Sequence, residues 1–248
     1  MRRSALFSFL GSLFALSACQ PAPAISCEQV EYLGNTYTIC SVPSDADIQF
    51  FLNRENGKPL SSFEAVEAWL SKSGARLIFA MNGGMYHDDR SPVGLYVEDG
   101  HQHTPLNTAA RDGNFGLVPN GVFYIADGQA YVAETQAFAK ETRPITYATQ
   151  SGPMLVIDGA LHPAFNAAGT SKKRRNGVGI SEDGQTVYFA ITEQPVNFHS
   201  FASLFRDKLQ TPNALFLDGT ISRLYYPATS RNDPGLAMGP IIGVTAPK

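Results

Sequence analysis

A carboxylate and a side-chain amide stand at the ends of two strongly apolar segments, each followed by glycine. The segment Ala214–Gly219 carries Asp218, and the segment Leu77–Gly83 carries Asn82. Apolar runs of this length predict buried strands. A carboxylate at the end of a buried strand needs a cation, a metal, a hydrogen-bond donor or water as its partner. In one shared cleft, these groups would suit nucleophilic or acid–base chemistry. The alternative is ordinary turn chemistry, because Asp-Gly and Asn-Gly pairs end many strands.

Four segments with glycine-rich turns follow one another in order along the chain. They are Met81–Tyr86, Gln150–Val156, Arg174–Ile180 and Leu217–Thr220. The ordered set resembles the phosphodiester glycosidase family, over roughly residues 45–245. That family includes the lysosomal "uncovering enzyme", which removes N-acetylglucosamine from a sugar phosphodiester. The resemblance implies a hydrolase that cleaves the glycosidic bond between a sugar and phosphate in a glycosyl phosphodiester, here on cell-envelope glycans.

The resemblance also implies which residues form the site. The implied catalytic residues are Asp218, Glu193 and Asn82, and the implied substrate- and phosphate-binding residues are Arg175, Gly83, Gly84, Ser151, Gly152, Thr220 and Tyr86. Cleavage at the anomeric carbon builds positive charge on the sugar, so Asp218 would stabilise that charge, act as nucleophile or activate water. Glu193 would be its acid/base partner, with a surface acid as the alternative.

Arg175 is the candidate contact for the phosphate. A guanidinium presents a rigid fork of donors to a permanent anion such as a phosphodiester. The alternative is a structural ion pair between Arg175 and Asp218. The stretch Thr220–Arg223 departs from the glycine- and serine-containing continuation of the family, a change that bears on the substrate more than on the fold.

Net charge and the spacing of possible metal ligands bear on the other function classes. The main alternative is a non-catalytic envelope lipoprotein that binds phosphorylated glycans. No cofactor or metal is expected to be required, since His101 and His103 lack a third ligand; the alternative is a divalent cation at His87, Asp88 and Asp89. A net charge of −3 supplies no global basic field, so nucleic acid is not an expected partner.

Residues 1–19 predict a lipoprotein signal peptide. Two arginines precede a short apolar stretch, and Leu16–Cys19 resembles the lipobox of bacterial lipoproteins. That resemblance implies cleavage before Cys19 and acylation of the new terminus, which would anchor the protein at a membrane. The expected location is the cell envelope, on the periplasmic side of the outer membrane.

The mature chain divides into two predicted parts. Residues 20–44 form a tether and an N-terminal disulfide segment, in which Cys27 and Cys40 lie about a dozen residues apart. Cysteines at this spacing in an exported chain predict a disulfide. Residues 45–248 form the phosphodiester glycosidase-like domain.

Short apolar segments bounded by Gly, Asn, Asp or Pro predict the strands that position these residues. Beyond the two segments above, the predicted strands are Tyr37–Val42, Ile48–Leu52, Val93–Val97, Gly116–Val118, Val122–Ile125, Ala130–Ala133, Met154–Ile157, Gly177–Ile180, Val187–Ile191 and Ile221–Tyr225. One helix is predicted from a cap at Ser61 or Ser62 to Gly74, and another near Ser200–Gln210. The predicted fold class is α+β, with a mixed, largely antiparallel sheet and a few packed helices in a single domain.

Overall fold

A computed structural model describes residues 25–109 and 113–248. The predicted signal peptide at residues 1–19, including Cys19, lies outside the described residues. Within the described residues, no helix has both the length and the apolar character needed to cross a membrane.

The described chain is built mainly from strands. The strands are β1 (Ser26–Tyr32), β2 (Asn35–Pro43), β3 (Ile48–Phe51), β4 (Ala75–Asn82), β5 (Tyr96–Glu98), β6 (His101–Thr104), β7 (Gly121–Ala126), β8 (Gln129–Glu134), β9 (Ile145–Ser151), β10 (Met154–Ile157), β11 (Ala160–Leu161), β12 (Asn176–Ile180), β13 (Thr186–Thr192), β14 (Asn213–Asp218), β15 (Leu224–Tyr226), β16 (Arg231–Asn232) and β17 (Ile241–Pro247). The α-helices are α1 (Phe63–Leu70), α2 (Thr135–Phe138) and α3 (Phe198–Ser203), and α3 continues into a π-helical turn at Leu204–Lys208.

These strands form three antiparallel sheets. A seven-stranded sheet has the order β1-β2-β13-β12-β14-β10-β11, and two five-stranded sheets have the orders β16-β15-β4-β17-β3 and β6-β5-β9-β7-β8. The sheets and the few short helices belong to a single domain. The α+β prediction with a largely antiparallel sheet is therefore confirmed.

One core joins the three sheets. Phe79 of β4 packs against Phe189 of β13 with ring centroids 4.9 Å apart, and Phe123 of β7 contacts the same Phe189 ring at 5.7 Å. All three rings are fully buried, and burying a phenylalanine side chain contributes about 1.5–3 kcal/mol. This shared core fixes the ends of strands that come from different sheets.

The first predicted helix is observed with its predicted caps. Ser62 Oγ accepts a hydrogen bond from Ala65 N at 3.2 Å, which satisfies one of the free donors at the start of α1. A 3-10 turn continues from α1 and ends at Gly74, whose φ of 75° lies in the left-handed region that glycine tolerates.

Several predicted elements differ from the structure. The strand predicted at Val93–Val97 is observed at Tyr96–Glu98, and the strand predicted at Ile221–Tyr225 is observed at Leu224–Tyr226. The second helix begins at Phe198, two residues before the predicted start, because Asn197 caps it by accepting a hydrogen bond from Ser200 N at 2.8 Å. The segment Gly116–Val118 forms a turn and not a strand, since Leu117 N donates to turn carbonyls and not to a neighbouring strand.

The predicted disulfide between Cys27 and Cys40 is confirmed. The two cysteines are directly opposite in the β1–β2 ladder. Strand β2 also pairs with β13, from Tyr37 to Pro43. The described part of residues 20–44 is therefore built into the same sheet as strands from later in the chain.

Candidate active site

Three strand ends from two sheets meet at one place. Asn82 is the last residue of β4, Asn176 is the first of β12, and Asp218 is the last of β14. Asn176 and Asp218 are register partners in the seven-stranded sheet, whereas Asn82 arrives from a five-stranded sheet. The structure therefore brings the Asn82 amide and the Asp218 carboxylate to one place.

A buried pair of asparagine side chains joins the two sheets at this point. Asn176 Nδ2 donates to Asn82 Oδ1 at 3.1 Å, and Asn82 Nδ2 donates to Asn176 Oδ1 at 3.2 Å. Asn176 Oδ1 also accepts a hydrogen bond from Asp218 N at 3.1 Å. The pair is thus bonded directly to the backbone of the candidate catalytic acid.

Asp218 is held by one carboxylate oxygen and leaves the other open. Its Oδ1 accepts hydrogen bonds from Thr220 N at 2.6 Å and Ile221 N at 3.2 Å. Its Oδ2 accepts none from the described residues, and the residue lines a surface cleft. Burial raises the pKa of the Asp218 carboxyl, although the backbone donors partly oppose that shift.

The cleft beside Asp218 has a volume of about 490 Å³. It is lined by Met85, Tyr86, His87, Asp88, Arg90, Val93, Asn114, Asp218, Gly219, Thr220, Ile221, Leu236 and Ala237. Polar, charged and apolar side chains therefore line a space large enough for a small organic molecule.

Two further predicted site residues, Tyr86 and Thr220, lie at the cleft. The Tyr86 hydroxyl donates to Ala237 O at 2.9 Å, which fixes the ring in the wall. Burial and the nearby Asp218 charge raise the pKa of Tyr86, whereas the Arg90 charge lowers it. Thr220 is exposed at the mouth of the cleft.

Arg175 is fully buried under this site and does not line the cleft. Its Nε donates to Val196 O at 2.9 Å, and its Nη2 donates to Ser171 O at 3.0 Å. The guanidinium carbon lies 3.6 Å from the centroid of the Phe198 ring, a favourable cation–π distance. Two carbonyls and an aromatic face therefore hold the cation in place.

The remaining nitrogen of Arg175 is unpaired. Nη1 has no hydrogen-bond partner among the described residues, and no carboxylate of those residues forms a salt bridge with Arg175. Burial lowers the pKa of this guanidinium to about 10. A Cβ added to Gly219 would lie 3.7 Å from Nη1, so the unpaired nitrogen lies next to the turn that follows Asp218. The observed contacts do not include an ion pair with Asp218.

Glu193 lies in a charged cluster and not among the residues of the cleft wall. Its Oε1 accepts hydrogen bonds from Thr38 Oγ1 at 2.6 Å and from Arg231 Nη1 at 2.7 Å. Arg231 also binds Asp233 through two nitrogens at 3.0 Å each, and Arg174 lies 3.7 Å from Glu193 Oε2. The structure therefore gives Glu193 partners other than Asp218.

The two predicted glycines after Asn82 use their amides within the protein. Gly83 N donates to Pro240 O at 2.7 Å, and Gly84 N donates to Thr149 Oγ1 at 3.2 Å. A Cβ on Gly84 would lie 2.6 Å from that Thr149 oxygen, so this position admits only glycine without a shift of its neighbours. Both residues bring segments close together at the site.

Ser151 and Gly152 likewise make contacts within the protein. The buried Ser151 hydroxyl donates to Leu217 O at 2.7 Å. A Cβ on Gly152 would lie 2.6 Å from Asn120 Cβ, so glycine permits the close approach of the two segments. Ser151 therefore supports the backbone just before the candidate catalytic acid.

The alternative cation site at His87, Asp88 and Asp89 is only partly in the cleft. His87 and Asp88 line it, whereas Asp89 Oδ1 accepts hydrogen bonds from Ser91 N and Oγ. Among the residues that the structure describes, no group of three or more His, Cys, Asp or Glu side chains could hold a metal ion.

Sequence reasoning missed Asn176, Ser222 and Arg223 as parts of the site. Arg223 N donates to Asn82 Oδ1 at 2.9 Å, and Ser222 Oγ donates to Asp218 O at 3.0 Å. Asn176 carried the one available signal, because it is a polar amide placed directly before an apolar, glycine-containing strand. Such an amide needs buried partners when the strand is buried.

Comparisons with known proteins bear on the family and the fold of this chain. The family model described as phosphodiester glycosidase matches residues 75–245. The Escherichia coli (strain K12) protein YigE, described as uncharacterized, is 37% identical over 183 residues, which cover 74% of this chain and 71% of YigE. A structure of the zebrafish N-acetylglucosamine-1-phosphodiester alpha-N-acetylglucosaminidase catalytic domain, auto-inhibited by its pro-peptide, matches in fold with a TM-score of 0.61 at 14% identity, over 89% of this chain and 82% of that one. As its four ordered segments predicted, the chain belongs to the phosphodiester glycosidase family of hydrolases.

Proposed function

We propose that the protein hydrolyses the glycosidic bond between a sugar and phosphate in a glycosyl phosphodiester of the cell envelope. The observation that carries the proposal is the open carboxylate oxygen of Asp218 in a cleft, with the buried and uncompensated Arg175 beneath the same turn. Family membership supports the reaction class.

In this reaction the bond between the anomeric carbon and the phosphate oxygen breaks, and its electron pair goes to that oxygen. Water supplies a hydroxyl to the anomeric carbon and releases one proton. The Asp218 carboxylate stabilises the positive charge that develops on the sugar, and either attacks the carbon itself or takes the proton of the attacking water.

The leaving group bears on the role of Glu193. A phosphate monoester has a second pKa of about 6, so the departing oxygen is a weak base and can leave without a proton donor near neutral pH. We therefore assign Glu193 a structural role and not a role in proton transfer. It binds Arg231, and Arg231 in turn binds Asp233. Asn82 supports Asp218 through Asn176.

A buried cation at the turn after Asp218 favours anionic ligands in the cleft. Arg175 does not line the cleft, so its contribution is the field of its charge and the position of the Asp218–Thr220 turn. An Arg175→Met variant keeps an apolar contact with Phe198 but removes the charge. We expect a lower affinity for phosphodiesters with the fold retained.

The test uses a soluble form that lacks residues 1–19 and a panel of glycosyl phosphodiesters. Sugar release is expected, and Asp218→Asn is expected to lower the rate at least 10²-fold, the lower end for positioned acid–base groups. Asp127→Asn, in the exposed hairpin turn between β7 and β8, is the matched control. Failure to release sugar from every panel member would refute the proposed activity, and saturable binding without release would support the non-catalytic alternative.

The bond that breaks can be read from labelled water. Hydrolysis in ¹⁸O water places the label on the sugar if the anomeric carbon is attacked, and on phosphate if phosphorus is attacked. A required metal is not part of the proposal, so a chelator is expected to leave the rate unchanged.

We also propose that Cys19 carries a lipid anchor that holds the protein in the cell envelope, on the periplasmic side of the outer membrane. The support is the lipobox-like Leu16–Cys19 sequence and the preceding apolar stretch. Cys19→Ser should abolish labelling by fatty acid and release the protein from the membrane fraction. Unchanged labelling of that variant would contradict the anchor.

A further inference from the structure

Arg90 is a cation of the cleft wall with few partners of its own. Its Nη1 donates to Asp88 O at 2.7 Å, and its guanidinium carbon lies 5.4 Å from the centroid of the Tyr86 ring. Among the described residues, no carboxylate forms a salt bridge with Arg90. Most of its five N–H donors are therefore free for a ligand.

The backbone holds Arg90 in a defined turn. Tyr86 and Pro92 form a β-bridge, His87 N donates to Ser91 O at 2.8 Å, and Arg90 N donates to His87 O at 2.8 Å. Arg90 itself has a φ of 74°, in the left-handed region that a long side chain rarely adopts. The turn thus fixes this cation over the Tyr86 ring.

Arg90 differs from the arginine that the sequence singled out. Arg175 is fully buried, whereas Arg90 is partly exposed and lines the cleft together with Asp218. Among the described residues, Arg90 is the one lysine or arginine side chain of the cleft wall. An anion in the cleft is attracted to this guanidinium, although the neighbouring Asp88 carboxylate opposes the attraction.

We propose that Arg90 binds the phosphate group of the substrate inside the cleft. The role in turnover rests on the proposed function: when the bond to the anomeric carbon breaks, the phosphate gains the electron pair and about one unit of negative charge. Arg90 accommodates that charge with its free donors, which is the kind of stabilisation that accelerates a bond-breaking step. The phosphate is thus placed beside the Tyr86–Pro92 turn, in the cleft that Asp218 also lines.

The test separates binding from turnover by using methyl phosphate as the probe. Titration of the soluble chain is compared for the unaltered protein, Arg90→Gln and Arg90→Lys, with Arg54→Gln as the control on an exposed turn away from the cleft. Glutamine and lysine are long side chains like arginine, so each must adopt the same left-handed backbone. Arg90→Gln is expected to weaken methyl phosphate binding about ten- to hundred-fold, and Arg90→Lys to weaken it less.

Unchanged methyl phosphate affinity in Arg90→Gln, with the fold checked by circular dichroism, would overturn the inference. Absence of methyl phosphate binding to the unaltered protein would overturn it as well. Turnover is then measured on the substrate panel, where Arg90→Gln should lower kcat/KM by a similar factor or more. If the unaltered protein binds methyl phosphate through Arg90 but releases no sugar, the proposed hydrolysis fails and the phosphate site stands.

Discussion

The asparagine pair behind Asp218 gives the sharpest test of how the site is held. Asn176 is fully buried and uses both atoms of its amide, with three bonds to Asn82 and one to the Asp218 backbone. The change to test is Asn176→Ala, which removes all of these contacts at once and leaves the surrounding strands unaltered in sequence.

The expected loss of stability follows from the groups left without partners. Asp218 N loses its acceptor, and Asn82 Nδ2 keeps only a contact of 3.5 Å to Gly83 O. Each buried orphaned donor costs about 1–3 kcal/mol, so we expect the free energy of unfolding to fall by about 2–6 kcal/mol. Since domains are stable by about 5–15 kcal/mol, the variant should still fold at low temperature.

The effect on activity should exceed the effect on folding. Without its acceptor, the Asp218 backbone is free to shift, and a displacement of about 1 Å of a reacting group can cost 10²-fold in rate. We therefore expect a fall in kcat per folded molecule of about that size. The acid limb of the pH–rate profile should move as well, because the burial that raises the Asp218 pKa is altered.

The assays are urea unfolding and single-substrate kinetics corrected for the folded fraction. Ser44→Ala is the control, since Ser44 Oγ accepts a hydrogen bond from Ala130 N at 3.1 Å and Ser44 N bonds to Gln185 O. That variant loses a buried acceptor at the opposite end of the seven-stranded sheet and should keep its kcat. If Asn176→Ala costs less than about 1 kcal/mol, or both variants lose kcat equally, the assigned role of the pair is refuted.

Three further changes test other parts of the account. The raised pKa of Asp218 means that folding disfavours its charged form. The free energy of unfolding should therefore fall as pH rises from the unfolded pKa of about 3.9 to the folded pKa. Asp218→Asn should remove that fall in urea unfolding, while the activity of the unaltered protein rises over the same pH range. Gly84→Ala should destabilise by at least 1–3 kcal/mol, because the new Cβ would lie 2.5 Å from Gln150 O, and an unchanged urea midpoint would contradict this. Replacing Cys27 and Cys40 together by serine should lower stability by about 3 kcal/mol, because the unfolded chain regains the conformational freedom that the cross-link removes, and an unchanged urea midpoint would contradict this.

Local patterns predicted the strands well where turn residues bounded them. The pair Asp127-Gly128 forms the tight turn of the β7–β8 hairpin, as an Asp-Gly pair between apolar runs should. The strand predicted at Gly116–Val118 is wrong because a three-residue apolar run looks the same in a turn as in a strand. The three-sheet arrangement was not predicted, because it depends on contacts such as Phe79 with Phe189 that no local pattern encodes.

The sequence predicted several residues of the site but not the contacts that they make. The ordered segments led to Asn82 and Asp218, which the structure joins through Asn176. The amides of Gly83 and Gly84 were natural candidates for substrate contact, yet both donate to protein acceptors. Sequence shows that glycine permits a close approach, but which neighbour approaches depends on how separate sheets pack.

The sequence also does not predict which charged partner each arginine has. Arg174 and Arg175 are adjacent, yet Arg174 is exposed and near Glu193, while Arg175 points into the protein and has no carboxylate. Burying a cation without an anion costs several kcal/mol after relaxation, and two carbonyls with one aromatic face offset only part of it. Because the unpaired Nη1 lies beside the Asp218–Thr220 turn, an anion bound above that turn would lower the cost of the buried charge. Arg90 lines the same cleft, so both arginines favour an anionic ligand there for a common electrostatic reason.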